Sequence, residues 1–325
     1  MRLTKARPDK PGFRRSRRGD GFRFLDSAAN AISDVEDIER IQSLAIPPAW
    51  EDVWIAPRAS DHIQATGVDA NGRTQYLYHP AWRQQRDLVK HDKILEFAAA
   101  LPPARKLVEE DLLSRGPTAK RALAAGFRLL DQAGVRVGSE RHTTMSGNRG
   151  LTTLLVQDIT LRGDKIILDF PAKSGVQWHS ETEDRQLKNA LKTLLHKNGK
   201  PRGQRARLLA WNEGRRWNPV RTSALNEYIG DRVKGTFTAK DFRTLHGTIT
   251  AAQQVAALQK ENPEEKPDRL IRAAIVQTAQ ILGNTPTVAK SSYIDPRVFE
   301  LFLNGETIST RGTPEFALLR LLENE

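Results

Sequence analysis

Apolar and polar residues alternate differently in the two parts of this chain. Near its start, Val53 and Ile55 alternate with their neighbours in the pattern of a short strand. A turn over 69–73 then leads to a second predicted strand over 74–79. These patterns predict a small β-rich unit with short helices.

Helical spacing dominates the rest of the chain. Leu123, Phe127 and Leu130 recur at i, i+4 and i+7, which predicts a helix that begins after Thr118 and ends at Gly134. Further helices are predicted around 187–194 and over 238–258 and 267–282, the last of them ending at 283–284.

Three strand-like runs interrupt these helices. They cover 151–156, 166–170 and 176–179, and a turn at 162–164 separates the first two. Lys173 is therefore predicted at the tip of a hairpin. The second unit should be mainly helical with one three-stranded hairpin sheet.

The boundaries follow from composition. Residues 1–22 are basic and contain proline and glycine, so we expect a flexible tail there. The β-rich unit is predicted over 23–82 and the larger unit over 83–325, with a polar connecting stretch over 82–93. The predicted fold class is α+β.

Charge and cysteine content narrow the possible functions. The net charge is +12 and the pI about 10, which favours a polyanionic partner. The sequence contains no run of 18 apolar residues, so no membrane helix is predicted. It also has no apolar run near its start, so no secretory signal is predicted. The absence of cysteine excludes disulfides, thiolate zinc sites and a cysteine nucleophile, and fits a reducing cytoplasm.

Tyr293 is the most informative candidate for chemistry. A tyrosine hydroxyl is a poor nucleophile at its ordinary pKa of about 10, but cations around it would favour attack on a phosphodiester. Arg136, Lys173 and Arg243 lie in distinctive local settings upstream. The sequence around them shows no metal-type acidic cluster and no phosphate-binding loop of the ATPase type.

Seven short motifs, in a fixed order, carry a family resemblance. They are PPAWEDVW (47–54), GRTQYLYH (72–79), RVGSE (136–140), GLTTL (150–154), FPAK (170–173), KDFR (240–243) and SYIDP (292–296). The chain resembles the type IB DNA topoisomerases in their compact bacterial and poxvirus-like form, from about residue 46 to about residue 297.

The resemblance implies five catalytic positions. Tyr293 matches the nucleophile, Arg136 and Arg243 match the two arginines, and Lys173 matches the hairpin lysine. The fifth position is Asn284, where many relatives have histidine. Asparagine can donate a hydrogen bond to a phosphate oxygen, but it cannot carry a proton or a positive charge.

The resemblance also implies DNA contacts. Gln75, Tyr76 and Tyr78 match a strand that touches DNA, and alternation places the two tyrosines on one face. An ordinary aromatic strand face remains an alternative for them. Lys240 lies one helical turn before Arg243, where it would assist the site, contact a phosphate or be solvated.

The implied function is relaxation of supercoiled duplex DNA. It would use transient single-strand cleavage through a 3′-phosphotyrosyl intermediate, without ATP, metal or another cofactor. We expect a monomeric, C-shaped clamp around DNA, located with the nucleoid in a bacterial cytoplasm and not in a membrane. The alternatives are a tyrosine recombinase, which shares the arginine, lysine and tyrosine plan, and a DNA-binding relative that has lost the reaction.

Overall fold

The computed structural model describes residues 3–19, 21–197, 199–214 and 216–323. The chain divides into two compact units, 1–92 and 93–325. The predicted combination of an N-terminal β-sheet unit with a larger helical unit is confirmed. The division lies inside a helix, because the polar stretch over 82–93, predicted to be a connection, is helical.

The smaller unit is built on a five-stranded antiparallel sheet in the order β2-β1-β3-β4-β5. Its core consists of Ile41, Val53, Ile55 and Ala65. The elements are β1 (Phe13–Arg18), β2 (Gly21–Leu25), α1 (Val35–Ser43), β3 (Glu51–Ile55), β4 (Ile63–Val68) and β5 (Thr74–Tyr78).

Strands β1 and β2 correct the expectation of a flexible tail over residues 1–22. Arg15 on β1 donates hydrogen bonds to Ile46 O at 3.0 Å, Pro47 O at 3.1 Å and Trp50 O at 2.6 Å. Its guanidinium also lies 4.1 Å from the centre of the Phe22 ring. One of the arginines that made the segment look disordered therefore fixes it to the sheet. Residues 1, 2 and 20 of this segment lie outside the described residues.

We expect Arg15→Ala to loosen the ribbon formed by β1 and β2. The change leaves four carbonyls, those of Ile46, Pro47, Pro48 and Trp50, without their charged donor, which should cost about 2 kcal/mol of local stability. Hydrogen exchange of the β1 amides should then be about 30-fold faster. Arg17→Ala is the matched control, because Arg17 is exposed on the same strand. Equal exchange in the two variants would contradict the assigned role of Arg15.

The larger unit is mainly helical and contains the predicted three-stranded sheet, in the order β6-β7-β8. Its helices are α2 (Pro80–Leu112, which begins in the smaller unit), α3 (Ala119–Ala133), α4 (Glu140–Ser146), α5 (Arg185–Leu194), α6 (Thr222–Val233), α7 (Ala239–Glu261), α8 (Pro267–Ile281), α9 (Pro286–Tyr293), α10 (Arg297–Leu303) and α11 (Pro314–Leu322). Its strands are β6 (Ile159–Arg162), β7 (Lys165–Pro171), β8 (Gln177–Glu183), β9 (His196–Lys197), β10 (Lys200–Pro201), β11 (Ala210–Glu213) and β12 (Arg216–Pro219).

Aromatic packing places α7 against α2 and α3. Phe242 of α7 meets Phe97 of α2 and Phe127 of α3 edge to face, with ring centres 4.8 Å and 5.0 Å apart. All three side chains are fully buried. This cluster fixes the first turns of α7, which carry Arg243.

The predicted strand over 151–156 is wrong. The chain instead forms two 3-10 turns, Leu151–Thr153 and Val156–Asp158, before β6 begins. The amide groups of Leu151 and Thr152 donate to Arg136 O at 2.8 Å and Val137 O at 2.9 Å rather than to a strand partner. The run is largely buried, but its hydrogen-bond partners are distant in sequence.

Candidate active site

A cavity of about 410 Å³ in the larger unit brings together most of the predicted catalytic residues. Arg136, Lys173, Arg243 and Tyr293 all line it, together with Lys240. These residues come from the segment after α3, the β7–β8 connection, α7 and the end of α9. The remaining lining residues are Val137, Gly138, Ser139, Ser146, Asn148, Arg149 and Ala239.

The main chain around Arg136 is held firmly. Helix α3 ends at Gly134, whose φ of 58° is left-handed and suits glycine. Arg136 O then accepts from Leu151 N at 2.8 Å. A methyl group on Gly150 would lie 2.7 Å from the same carbonyl oxygen, so only glycine permits this close approach.

The Arg136 side chain is directed by the segment that follows α8. Its Nη2 donates to Gly283 O at 2.7 Å and to Asn284 Oδ1. Burial lowers the pKa of Arg136, and the neighbouring Tyr293 acts in the opposite direction. The predicted stop of α8 at 283–284 thus also orients a cavity arginine.

Arg243 is the most buried of the cavity cations, with 3% of its surface exposed. Its Nη1 donates to Gly134 O at 2.6 Å and its Nη2 to Leu282 O at 2.8 Å. Its Nε is buried and has no acceptor among the described residues. Such an unsatisfied donor is unusual in a folded protein and suits an oxygen ligand.

The charge of Arg243 persists at neutral pH despite burial. Burial first, and the nearby charge of Arg136 second, lower the pKa of Arg243 to about 10, whereas Tyr293 raises it. Because this value lies well above 7, the guanidinium remains protonated. The cavity therefore holds two positive charges close together, an arrangement that an anion would relieve.

Tyr293 packs against α7. The Thr248 hydroxyl donates a hydrogen bond to the main-chain oxygen of Tyr293 at 3.3 Å. The Thr248 hydroxyl also accepts a hydrogen bond from Asp295 N at 3.1 Å. The guanidinium carbon of Arg243 lies 5.0 Å from the centre of the Tyr293 ring. Helix α7 thus carries Arg243 and also fixes the tyrosine next to it.

The two lysines lie at the exposed edge of the cavity. Lys173 opens the 3-10 turn Lys173–Gly175 between β7 and β8, as predicted for a hairpin tip. Gly175 adopts a φ of 72°, which allows the tight turn. Lys240 is exposed in the first turn of α7, on the same side as Arg243. Both ammonium groups can move, unlike the fixed arginines.

Asn284 does not line the cavity but contacts it through Arg136. Its Oδ1 accepts from Arg136 Nη2, and its Nδ2 is buried without an acceptor in the described part of the chain. Nδ2 is therefore available as a donor.

Of the predicted DNA-contact residues in the smaller unit, the two tyrosines are exposed to solvent, whereas Gln75 is bound within the protein. Tyr76 and Tyr78 are exposed and stacked, with ring centres 6.0 Å apart. Gln75 instead donates from Nε2 to Asp69 Oδ2 at 2.8 Å, which ties it to the preceding turn. Alternation along β5 correctly predicted which residues share a face.

Three residues over 146–149 line the cavity without having been predicted from the sequence. Asn148 and Arg149 line the cavity, and Arg149 donates to both carboxylate oxygens of Asp158, at 2.7 Å and 2.8 Å. The signal for them was their position directly before the GLTTL motif. Arg149 is committed to an ion pair, so it contributes structure more than free charge.

Within the described ranges, no group of three or more histidine or acidic side chains could hold a metal ion. Among the helices described, none combines the length and apolar character needed to cross a bilayer.

Comparison with known proteins agrees with this arrangement. Residues 79–300 match the family described as eukaryotic DNA topoisomerase I, catalytic core, and residues 21–69 match the bacterial DNA topoisomerase IB N-terminal domain. The DNA topoisomerase 1B of Acanthamoeba polyphaga mimivirus is 28% identical over 321 residues, covering 96% of this chain and 95% of the relative. That of Vaccinia virus (strain Copenhagen) is 24% identical over 297 residues, covering 87% and 88%. The chain belongs to the DNA topoisomerase I family of the type IB class.

Proposed function

We propose that this protein relaxes supercoiled duplex DNA as a type IB topoisomerase. It would cleave one strand through a 3′-phosphotyrosyl intermediate, allow rotation, and reseal the strand. The observation that carries the proposal is the convergence of Tyr293, Arg136, Lys173 and Arg243 on one cavity. Family membership agrees with it.

Tyr293 would be the nucleophile. Its Oη forms a bond to the scissile phosphorus and gives up its proton to solvent, while the bond from phosphorus to the 5′ oxygen breaks. Lys173 would protonate the leaving 5′ oxygen, because it is a mobile, exposed cation at the edge of the cavity. Resealing is the reverse attack by the 5′ hydroxyl on the phosphotyrosine.

Arg136 and Arg243 would stabilise the charge that grows on the nonbridging phosphate oxygens. Their main chains and parts of their guanidinium groups are fixed before substrate arrives, so little reorganisation is needed. The mutual repulsion of the two cations would be relieved by the phosphate. The covalent intermediate conserves the bond energy, so the proposal requires no ATP, metal or other cofactor.

Asn284 would act through both ends of its amide. Its Oδ1 orients Arg136, and its Nδ2 would donate to a phosphate oxygen. Asn284→Ala removes both functions, and we expect cleavage to slow by about 10- to 100-fold with little change in DNA affinity. Asn284→Asp retains the acceptor but loses the donor, so it should also be slow. Single-turnover cleavage by both variants tests this, and full activity of the Asp variant would exclude the donor role.

The proposed substrate is double-stranded DNA held by both units. The β-rich unit, predicted over 23–82, would contact DNA through Tyr76 and Tyr78, with Gln75 and Lys240 as further contacts. The helical unit, predicted over 83–325, would carry the reaction. We propose that the two close around the duplex as a C-shaped clamp and that the protein acts as a monomer on nucleoid DNA in a bacterial cytoplasm.

Relaxation of a supercoiled plasmid, with EDTA present and ATP omitted, tests the proposed function. We expect complete relaxation, and denaturation during the reaction should trap protein on the 3′ end of nicked DNA. DNA binding without relaxation of any plasmid would favour a recombinase that needs a specific site, or a DNA-binding relative without the reaction. Protein linked to a 5′ end would contradict the proposed intermediate.

A further inference from the structure

The register of the sheet in the smaller unit shows which side chains share a face with the β5 tyrosines. Tyr76 pairs with Thr66 of β4, Thr66 with Trp54 of β3, and Trp54 with Arg14 of β1. Directly paired residues in neighbouring strands project to the same side of a sheet. Arg14 therefore lies on the same face as Tyr76 and Tyr78.

The same face continues along the ribbon of β1 and β2. Ser16 pairs with Arg23 and Arg18 pairs with Gly21, and alternation from Arg14 places all of these on one side. Arg14, Arg18 and Arg23 are exposed. In the described part of the chain, their side chains have no hydrogen-bond or ion-pair partner.

The other arginines of β1 differ from these three. Arg15 pairs with Phe24 on the opposite face, where it binds the carbonyls that precede β3. Arg17, also on that opposite face, is exposed and pairs with Phe22. The ribbon thus has one face that attaches it to the fold and one that presents cations to solvent.

We propose that Arg14, Arg18 and Arg23 form a second DNA-contact surface, which binds backbone phosphates of the duplex that Tyr76 and Tyr78 touch. The inference rests on the proposed function and extends it to a segment outside the family motifs. An exposed arginine cluster without carboxylate partners complements a row of phosphates.

The dimensions of the sheet fit a DNA groove. Three strand spacings of about 4.8 Å separate β1 from β5, so the arginines and tyrosines lie about 14 Å apart across the sheet. The major groove of B-DNA is about 12 Å wide. Tyrosines at a groove would therefore leave the arginines near a bordering phosphate strand.

The surface between the two clusters is closed. Trp54 donates from Nε1 to Lys10 O at 3.0 Å, and Gly12 packs against the ring of Trp54. A methyl group on Gly12 would lie 2.7 Å from a ring carbon, so the chain at Gly12 packs closely against Trp54 on this face. Trp54 and the chain that packs on it therefore lie between the arginines and the tyrosines, which form two separate groups on one face of the sheet.

The salt dependence of DNA binding tests this surface. Each phosphate contact contributes about 0.9 to the slope of log affinity against log salt concentration. In a Tyr293→Phe background, which prevents cleavage during the titration, we expect the triple variant Arg14→Gln, Arg18→Gln, Arg23→Gln to lower this slope by about 2 to 3. Replacing the same three residues with lysine should restore it.

Arg17→Gln is the matched control, since it removes one exposed cation from the same strand on the opposite face. We expect its slope to equal that of the unmodified background, whereas Arg23→Gln alone should lower it by about 1. The inference is overturned if the triple glutamine variant keeps the full slope, or if Arg17→Gln lowers it as much as Arg23→Gln. Plasmid relaxation by the unmodified protein tests the proposed function separately, so failure of this inference is distinguishable from failure of the proposed function.

Discussion

The Tyr293→Phe variant is expected to bind duplex DNA as tightly as the unmodified protein while losing all detectable relaxation. Phenylalanine preserves the ring that lies 5.0 Å from the Arg243 guanidinium, and the main-chain contact with Thr248 is unaffected. The variant lacks only the hydroxyl oxygen that would form the bond to phosphorus. Loss of a covalent nucleophile should lower the rate by at least about 10⁴-fold.

Two measurements on the same preparations check this expectation. Plasmid relaxation and trapping of the covalent adduct report the reaction, and a filter-binding titration reports DNA affinity. Lost relaxation with retained affinity supports Tyr293 as the nucleophile. Relaxation by a pure Tyr293→Phe preparation at the unmodified rate would show that another residue attacks the phosphorus.

The cavity was predictable from sequence because its residues lie in short motifs with a fixed order. Arg136, Lys173, Arg243 and Tyr293 each belong to one of these motifs, and all four line one cavity. The helical periods that surround them also predicted α3, α7 and α8 correctly. Local sequence was sufficient here because each motif is placed by an element whose own pattern is strong.

The hydrogen-bond partners of the two arginines were not predictable in the same way. The family resemblance identified both arginines, but not which of their nitrogens would be free to bind a ligand. In the structure, each Nη nitrogen of Arg243 donates to a main-chain carbonyl, and Nε is the nitrogen without a partner. The acceptors, Gly134 O and Leu282 O, are far from Arg243 in sequence, so no local pattern could reveal them.

The prediction of a flexible tail over 1–22, where β1 and the start of β2 lie, was wrong for a related reason. Arginine, proline and glycine over 1–22 are typical of disorder, and local composition gave no sign of a partner. The partner is a set of carbonyls over 46–50 that bind Arg15. A basic segment can therefore be ordered when main-chain oxygens elsewhere satisfy one of its cations.

Gly247→Ala should slow DNA cleavage by about 100-fold or more, although Gly247 does not line the cavity. Glycine inside a helix costs about 1 kcal/mol relative to alanine, so its presence in α7 needs a reason. A methyl group there would clash with Tyr293 O and would lie 2.9 Å from Tyr293 Cβ. The tyrosine segment would have to move, and a displacement of about 1 Å at a reacting group can cost about 100-fold in rate.

The effect on stability sharpens this test. Crowding at a packed site typically costs about 1–3 kcal/mol, which opposes the gain in helix propensity, so we expect a lower Tm. Gly203→Ala is the control, because a methyl group there meets no atom within 4 Å. Thermal unfolding, DNA affinity and single-turnover cleavage should be compared for both variants. Because α7 lies so close to the Tyr293 main chain, we expect slow cleavage with retained DNA binding for Gly247→Ala and not for the control. A Gly247→Ala variant that is more stable and fully active would mean that α7 does not set the position of the nucleophile.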